Sequence, residues 1–239
     1  MSETHVPLLR WDPPGPYVVA FSTRLGGVSG PPFDSLNLGR LTLDDTEHVT
    51  ENRRRLCAGA GADPAAVSFN RQVHGAKVRT ADSDANGEPG DGLVSAVPRQ
   101  PLLVFTADCL PVALVRPNGD RPALSLLHVG WRGLLAGIVG TGAQTVGHGF
   151  HAVVGPGIGP CCYEVGEEVA ARFRARFGRR IVDRGRLDLW RATERSLQEA
   201  GAAHVSRIEL CTACHPRLFF SHRRDGARTG RQGAVGFVA

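Results

Sequence analysis

A single domain whose central strands are covered on both faces by helices is the fold class this sequence predicts, on three observations. The chain has 239 residues, enough to bury one sizeable core. Three runs, Leu102–Thr106, Val112–Arg116 and Ala123–His128, are continuously apolar and rich in strand formers, as buried strands are, rather than alternating like strands of a half-wet sheet. Between and after them lie segments with helical spacing of apolar residues, such as Val165, Val169, Phe173 and Phe177 at steps of four.

The remaining elements follow along the chain. Tyr17–Ser22 reads as a short strand, followed by the glycine-rich turn Arg24–Gly30 and a loop ending Ser35-Leu36-Asn37-Leu38-Gly39. Asp45–Ala60 predicts a helix with Val49, Arg53, Leu56 and Ala60 on one face. Ala66–Val73 predicts a strand that delivers His74-Gly75 to its end, and Asp82–Gly92, rich in Asp, Gly, Asn and Pro, a loop. Covering helices are expected over Leu134–Val146, Val165–Phe177 and Leu189–Ala200, the last closed by Gly201. Late strands are expected over Val205–Leu210 and Val235–Val238. No internal repeat or dividing linker is visible, so residues 1–239 are expected to form one domain.

Composition narrows the function. The chain is 42% hydrophobic and 21% charged with a formal net charge of +5, ordinary for a globular protein. Its basic residues are scattered arginines, Lys77 being the sole lysine, and no run of like charge forms a nucleic-acid arm. With 6% aromatic residues there is no evident stacking platform either, so nucleic acid is excluded as a partner, whereas a small phosphate-bearing substrate needs only a few arginine forks. Residues 1–16 show no export signal and no stretch is apolar enough to span a membrane, which gives a cytoplasmic expectation by default. No obligate protein partner is evident. The six cysteines are then expected as thiols or ligands rather than disulfides.

Three motifs end apolar runs with soft or borderline metal ligands: Gln72-Val73-His74-Gly75, Ala107-Asp108-Cys109-Leu110-Pro111 and His128-Val129-Gly130-Trp131-Arg132-Gly133. Two imidazoles and a thiolate are a set zinc uses while keeping a fourth position open. Residue types alone also permit a buried thiol beside a core histidine, or a Cys109 nucleophile with His128 as its base. His74 favours the metal, being superfluous to a simple dyad. The helix start after His128 offers backbone N–H groups to an anion.

Other motifs are weaker. Cys211-Thr212-Ala213-Cys214-His215 matches the c-type haem pattern, but without an export signal it reads as ordinary thiols, or as two ligands of a structural zinc that lacks a second pair. Gly155-Pro156-Gly157-Ile158-Gly159-Pro160 is a tight turn rather than a phosphate loop, fitting neither nucleotide fingerprint. His148 and His151 read as surface or loop residues. Arg223 and Arg224, in Ser221-His222-Arg223-Arg224-Asp225-Gly226, suit an anion or simple pairing with Asp225.

Taken together, these motifs resemble the laccase-domain, or polyphenol-oxidase-like, family of purine nucleoside phosphorylases, often called YfiH-like. The resemblance also rests on Ser22-Thr23-Arg24-Leu25-Gly26-Gly27-Val28-Ser29, on Ser35-Leu36-Asn37-Leu38-Gly39, on Gly159-Pro160-Cys161-Cys162-Tyr163-Glu164-Val165-Gly166 and on Thr229-Gly230-Arg231. It runs from Ser22 to Arg231. It implies an α+β single domain with mixed sheets between outer helices, and one catalytic zinc on His74, Cys109 and His128. The implied reactions are phosphorolysis of adenosine, inosine and methylthioadenosine, with adenosine deamination as a companion. Val129 departs from a common alanine, and His222 from a common tyrosine. Copper chemistry is not expected, since the repeated His-x-His pairs of a multicopper oxidase are missing. A related fold in cysteine deamidases keeps a hydrolase, such as one editing peptidoglycan precursors, as the enzyme alternative, and a zinc-binding scaffold with a fourth ligand from Cys161, Cys162 or Cys211 as the non-enzyme one.

On this reading, Arg24, Asn37, Arg132, Arg223 and Arg224 are the candidate substrate and phosphate contacts. Phosphate attacks C1′ as the purine leaves through a cationic transition state, so arginines act by proximity and charge. Asp108 is the candidate proton shuttle for deamination, or else a residue that only orients a histidine or braces a turn.

Overall fold

A computed structural model describes residues 6–117 and 121–239, so Met1–His5 of the N-terminal segment lie outside it. Among the described residues, thirteen strands and six α-helices alternate irregularly. The strands are β1 Leu8–Trp11, β2 Tyr17–Ser22, β3 Ser68–Phe69, β4 Val78–Thr80, β5 Gly92–Ser95, β6 Leu102–Thr106, β7 Leu110–Val115, β8 Leu124–Val129, β9 His151–Val154, β10 Val182–Asp183, β11 Arg186–Leu187, β12 His204–Arg207 and β13 Gln232–Val238. The helices are α1 Thr46–Ala60, α2 Trp131–Leu135, α3 Ile138–Val146, α4 Glu167–Phe177, α5 Leu189–Glu199 and α6 His222–Asp225.

Two mixed sheets face each other. One has the order β1-β2-β13-β6-β3 and the other β12-β9-β7-β8-β5-β4, while β10 and β11 form a separate hairpin. Alternation along each strand divides the apolar side chains between layers. From β6, Leu102 and Val104 meet Ala113, Val115, Leu124 and Leu126 of the opposite sheet. Leu103, the residue between them, turns outward to Leu56 and Cys57 of α1. From β7, Val112 and Leu114 turn outward to Ile138, Val139, Phe173 and Leu197 on α3, α4 and α5. The molecule is thus layered helix, sheet, sheet, helix, and every residue of β7 and β8 is buried. This is why those runs are apolar throughout.

The expected elements hold in their interiors and shift at their ends. The Asp45 side chain accepts from Glu47 N–H to start α1, and Gly61 closes it at φ 76°. The expected helix over Leu134–Val146 divides into α2 and α3 because Gly137 sits at φ 92°. The helix expected from Val165 begins at Glu167, and the strand expected over Val205–Leu210 is β12, ending at Arg207. The expected strand over Ala66–Val73 shrinks to β3, since side-chain contacts replace the ladder beyond Phe69. Gln72 donates from Nε2 to Phe105 O at 2.7 Å and accepts from Phe105 N at 2.8 Å, copying a strand pair with its amide. In the N-terminal segment β1 pairs antiparallel with β2, a strand that its polar, proline-rich sequence concealed. No helix among the described residues is long and apolar enough to cross a membrane.

Candidate metal centre

The pairing of β7 with β8 sets the centre. His128 on β8 lies opposite Pro111 on β7, and Cys109 stands just before β7 in a turn where Asp108 takes φ 92°. His74 arrives from a turn in which its own backbone is left-handed, φ 61°, not from a strand end as the sequence predicts. The ligand atoms of His74, Cys109 and His128 all lie within 4.8 Å of one another. The two imidazoles meet edge to face, 4.9 Å between centroids. Tetrahedral zinc with bonds of about 2.0 Å to nitrogen and 2.3 Å to sulfur sets its ligands about 3.3–3.8 Å apart, and the three atoms are gathered closely enough that one ion could be shared among them.

Asp91 organises the two histidines, and sequence reasoning passed over it. Fully buried, its carboxylate accepts from the backbone N–H of His74 at 2.8 Å, of Gly75 at 2.7 Å and of Val73 at 3.2 Å. The same carboxylate lies 2.9 Å from Nδ1 of His128, and its backbone carbonyl accepts from His128 N at 2.7 Å. A carboxylate on one imidazole nitrogen fixes the tautomer and leaves Nε2 for a metal. Burial opposes ionisation of Asp91, but His128 and the Gly75 N–H outweigh it and hold the carboxyl below its usual range. The only sequence signal was an Asp-Gly at the close of a polar loop.

The thiol of Cys109 and the ring of His128 shift each other's ionisation. Burial raises the cost of a thiolate at Cys109, yet His128 first and His74 second overcome it and bring the thiol well down. Burial likewise disfavours an imidazolium at His128, yet Cys109 and Asp91 push it up. A metal would take the place of that proton between sulfur and ring nitrogen.

Room at the centre depends on Gly130. A Cβ built there would stand 3.0 Å from Cys109 Sγ and 3.3 Å from His74 Cδ2. Gly130→Ala is expected to displace a ligand and weaken metal binding about 10-fold or more, with the melting temperature little changed, as competition against a metal-binding dye would measure.

The centre opens into a cavity of ≈ 710 Å³ that His74, Cys109 and His128 line together with Asp108, Tyr163 and His222. Five arginines also reach it: Arg40, Arg53, Arg71, Arg223 and Arg231. Arg53 is buried, lies 4.5 Å from the Phe69 ring centroid and 4.4 Å from that of Phe105, and donates to Leu38 O, so it is built into the wall. Arg231 spends one fork nitrogen on the carbonyls of Thr229 and Gly230.

Of the residues the sequence offers as substrate contacts, only Arg223 lines this cavity. Arg24 is spent on Asp34 and Pro216 O and stacks on Phe220. Arg224 binds Asp225 and three carbonyls, those of Thr212, Ala213 and Phe219. Asn37 is buried, its amide nitrogen on Thr42 and Asp44 and its oxygen accepting from Gly39 and Arg231 N–H. Arg132, exposed at the start of α2, lies over the Trp131 ring. Turn-rich context drew attention to these residues, but protein groups consume Arg24, Asn37 and Arg224. Asp108 does line the cavity, with one carboxylate oxygen accepting from Thr212 Oγ1 at 2.6 Å and the other from Arg223 N at 2.7 Å. Cys161, Cys162 and Cys211 form a group apart from His74, Cys109 and His128, which leaves the scaffold reading without its fourth ligand.

Known proteins agree with this architecture. A family model described as multi-copper polyphenol oxidoreductase laccase matches residues 18–238. The chain is 37% identical, over 97% of both sequences, to a protein of Escherichia coli (strain K12) named purine nucleoside phosphorylase YfiH. It is 42% identical to a purine nucleoside phosphorylase of Deinococcus radiodurans, over 90% of this chain and 87% of that one. The crystal structure of YlmD from Geobacillus stearothermophilus superposes with a TM-score of 0.88 at 33% identity, covering 97% of this chain and 96% of the other. Matched end to end in sequence and in fold, the chain belongs to this laccase-like family, the YfiH group whose curated members carry the name purine nucleoside phosphorylase.

Proposed function

We propose that the protein is a zinc-dependent purine nucleoside phosphorylase acting on adenosine, inosine and methylthioadenosine, with adenosine deamination as a second activity. One observation carries this reading: the His74, Cys109 and His128 group opens into a cavity whose wall combines arginines with aromatic rings. Such a wall suits a substrate with a flat base and an anionic co-substrate. Zinc fits the donor set better than copper. No methionine stands among the described residues to supply the axial thioether of a blue-copper site, and the other ligand group among them is made of cysteines alone.

Phosphorolysis asks the chain to hold phosphate against C1′ and to screen charge as the glycosidic bond breaks. Arg40 and Arg71 suit the first task, since both are exposed on the cavity wall and their guanidinium groups make no hydrogen bond or ion pair among the described residues. Tyr163 and Phe105 line the cavity and supply aromatic surface for the base. Held by His74, Cys109 and His128, zinc would supply a Lewis acid, screening the charge that develops in phosphorolysis and lowering the pKa of water for deamination. Because both oxygens of Asp108 already accept hydrogen bonds, we assign it the bracing role, tying the Cys109 turn to Thr212 and α6.

Two measurements test these assignments. Metal-replete protein should convert adenosine to adenine and ribose 1-phosphate only when phosphate is present, and to inosine without it; failure of both conversions would end the proposal. Arg71→Gln is expected to raise the KM for phosphate about 10-fold, the worth of one charge-assisted hydrogen bond, while Arg132→Lys leaves it unchanged. An effect confined to Arg132 would return phosphate to the start of α2.

A second reading, hydrolysis by a Cys109 nucleophile with His128 as base, is favoured by the depressed Cys109 thiol alone. It predicts turnover in metal-free protein and a covalent adduct on Cys109.

A further inference from the structure

The fold brings together four cysteines that the proposed reaction does not use. Cys161 and Cys162 sit in the turn that follows Gly159, and Cys211 and Cys214 in the turn that follows β12, about 50 residues further along the chain. Their four sulfurs lie within 4.8 Å of one another. Cys214 Sγ is 3.4 Å from Cys161 Sγ and 3.3 Å from Cys162 Sγ, and Cys211 Sγ accepts from Gly159 N at 3.3 Å. From these observations we infer that Cys161, Cys162, Cys211 and Cys214 form a second metal site, a closed tetrahedral zinc site separate from the His74, Cys109 and His128 centre.

Three features favour a metal over a disulfide. Both Cys161 and Cys162 approach Cys214, so one S–S bond would satisfy a single pair and strand the other sulfurs. Four thiolates on zinc sit about 3.8 Å apart, as bonds of about 2.3 Å require, and the observed sulfurs are near that spacing, two pairs at 3.3 and 3.4 Å and all within 4.8 Å. Cys211-x-x-Cys214 has the ligand spacing of structural zinc sites, and the sulfur of Cys211 already accepts a backbone N–H. With all four positions filled by sulfur, the site has no place for substrate. Binding requires only that the thiols lose their protons, so nothing is oxidised or reduced.

Its task follows from what the two turns hold. Gly157 pairs with Cys211 in a parallel bridge, Thr212 N donates to Gly157 O at 3.1 Å, and Ile158 N donates to Asp108 O at 2.8 Å. Thr212 also binds the Asp108 side chain, and Tyr163, next to Cys162, faces the cavity. A zinc clamp across the two turns would therefore fix the cavity wall from behind without touching substrate.

Counting metal in the full chain, purified under reducing conditions and supplied with zinc, tests the site. Wild type is expected to hold two zinc ions per chain, Cys109→Ala one, and Cys109→Ala combined with Cys161→Ser and Cys214→Ser none. Should the triple variant fail to fold, cobalt in the Cys109→Ala protein gives the second readout, with intense thiolate-to-cobalt charge transfer and tetrahedral bands expected. Zinc should also slow alkylation of these four thiols in Cys109→Ala at least about 10-fold. A folded Cys109→Ala protein that binds no zinc, a cobalt spectrum without thiolate charge transfer, or a disulfide persisting among the four in reductant would each overturn the inference. Loss of only the His74 centre leaves this count of one intact, so the two sites fail separately.

Discussion

Cys109→Ala is expected to lower phosphate-dependent cleavage of adenosine by on the order of 10³-fold or more, several kcal/mol of transition-state stabilisation at about 1.4 kcal/mol per factor of ten. The bound zinc should fall by one equivalent in the same protein. Thermal unfolding should change little, because Cys109 is half-buried in a turn and not among the packed core residues. Restoring zinc to Cys109→Ala should not recover turnover, whereas wild-type protein stripped by a chelator should recover it with zinc. The pairing of these two measurements separates ligand from nucleophile. Turnover in stripped wild type that vanishes in Cys109→Ala would assign the thiolate to covalent catalysis, and retention of the full zinc complement by the variant would remove Cys109 from the ligand set.

The part of this centre legible in the sequence is the part whose chemistry is local. Strands β6, β7 and β8 announce themselves because both sheet faces are covered, which forces continuous apolar runs, and Cys109 and His128 are read correctly as lying at or beside the ends of those runs. His74 is recognisable as a candidate ligand but not in its backbone, since the turn that delivers it depends on Gln72 pairing with Phe105, 33 residues away. The arginines are legible in kind but not in placement. A guanidinium in a glycine-rich turn looks available, and only the folded chain reveals that Arg24 and Arg224 are consumed by carbonyls and carboxylates while Arg40 and Arg71 face the cavity. The cysteines follow the same rule: the spacing of Cys211 and Cys214 is visible locally, and their partners 50 residues earlier are not.

Asp91 is the residue whose loss should cost most for its distance from substrate, and Asp91→Asn is the sharpest way to ask. The carboxylate serves four donors, three backbone N–H groups and His128 Nδ1, with two oxygens. An asparagine of the same shape retains one acceptor oxygen and presents an NH₂ to the donors that faced the other. About two donors, part-buried or buried, then lose their partners, at up to roughly 1–3 kcal/mol each. For a chain of this size each kcal/mol lowers the melting temperature by about 2–4 °C, so a fall of about 5–20 °C is expected. The His128 tautomer loses its anchor as well, and the His74 turn loses the carboxylate that gathers its N–H groups. Metal affinity at the centre should therefore drop about 10–100-fold, as when other carboxylates behind ligating histidines are removed. Saturating zinc should restore part of the turnover in Asp91→Asn, because the three ligands remain, whereas it should restore none in Cys109→Ala. Thermal melts and zinc titrations of the two variants side by side measure this difference, and an Asp91→Asn protein with wild-type stability and metal affinity would show that the histidines are held by other means.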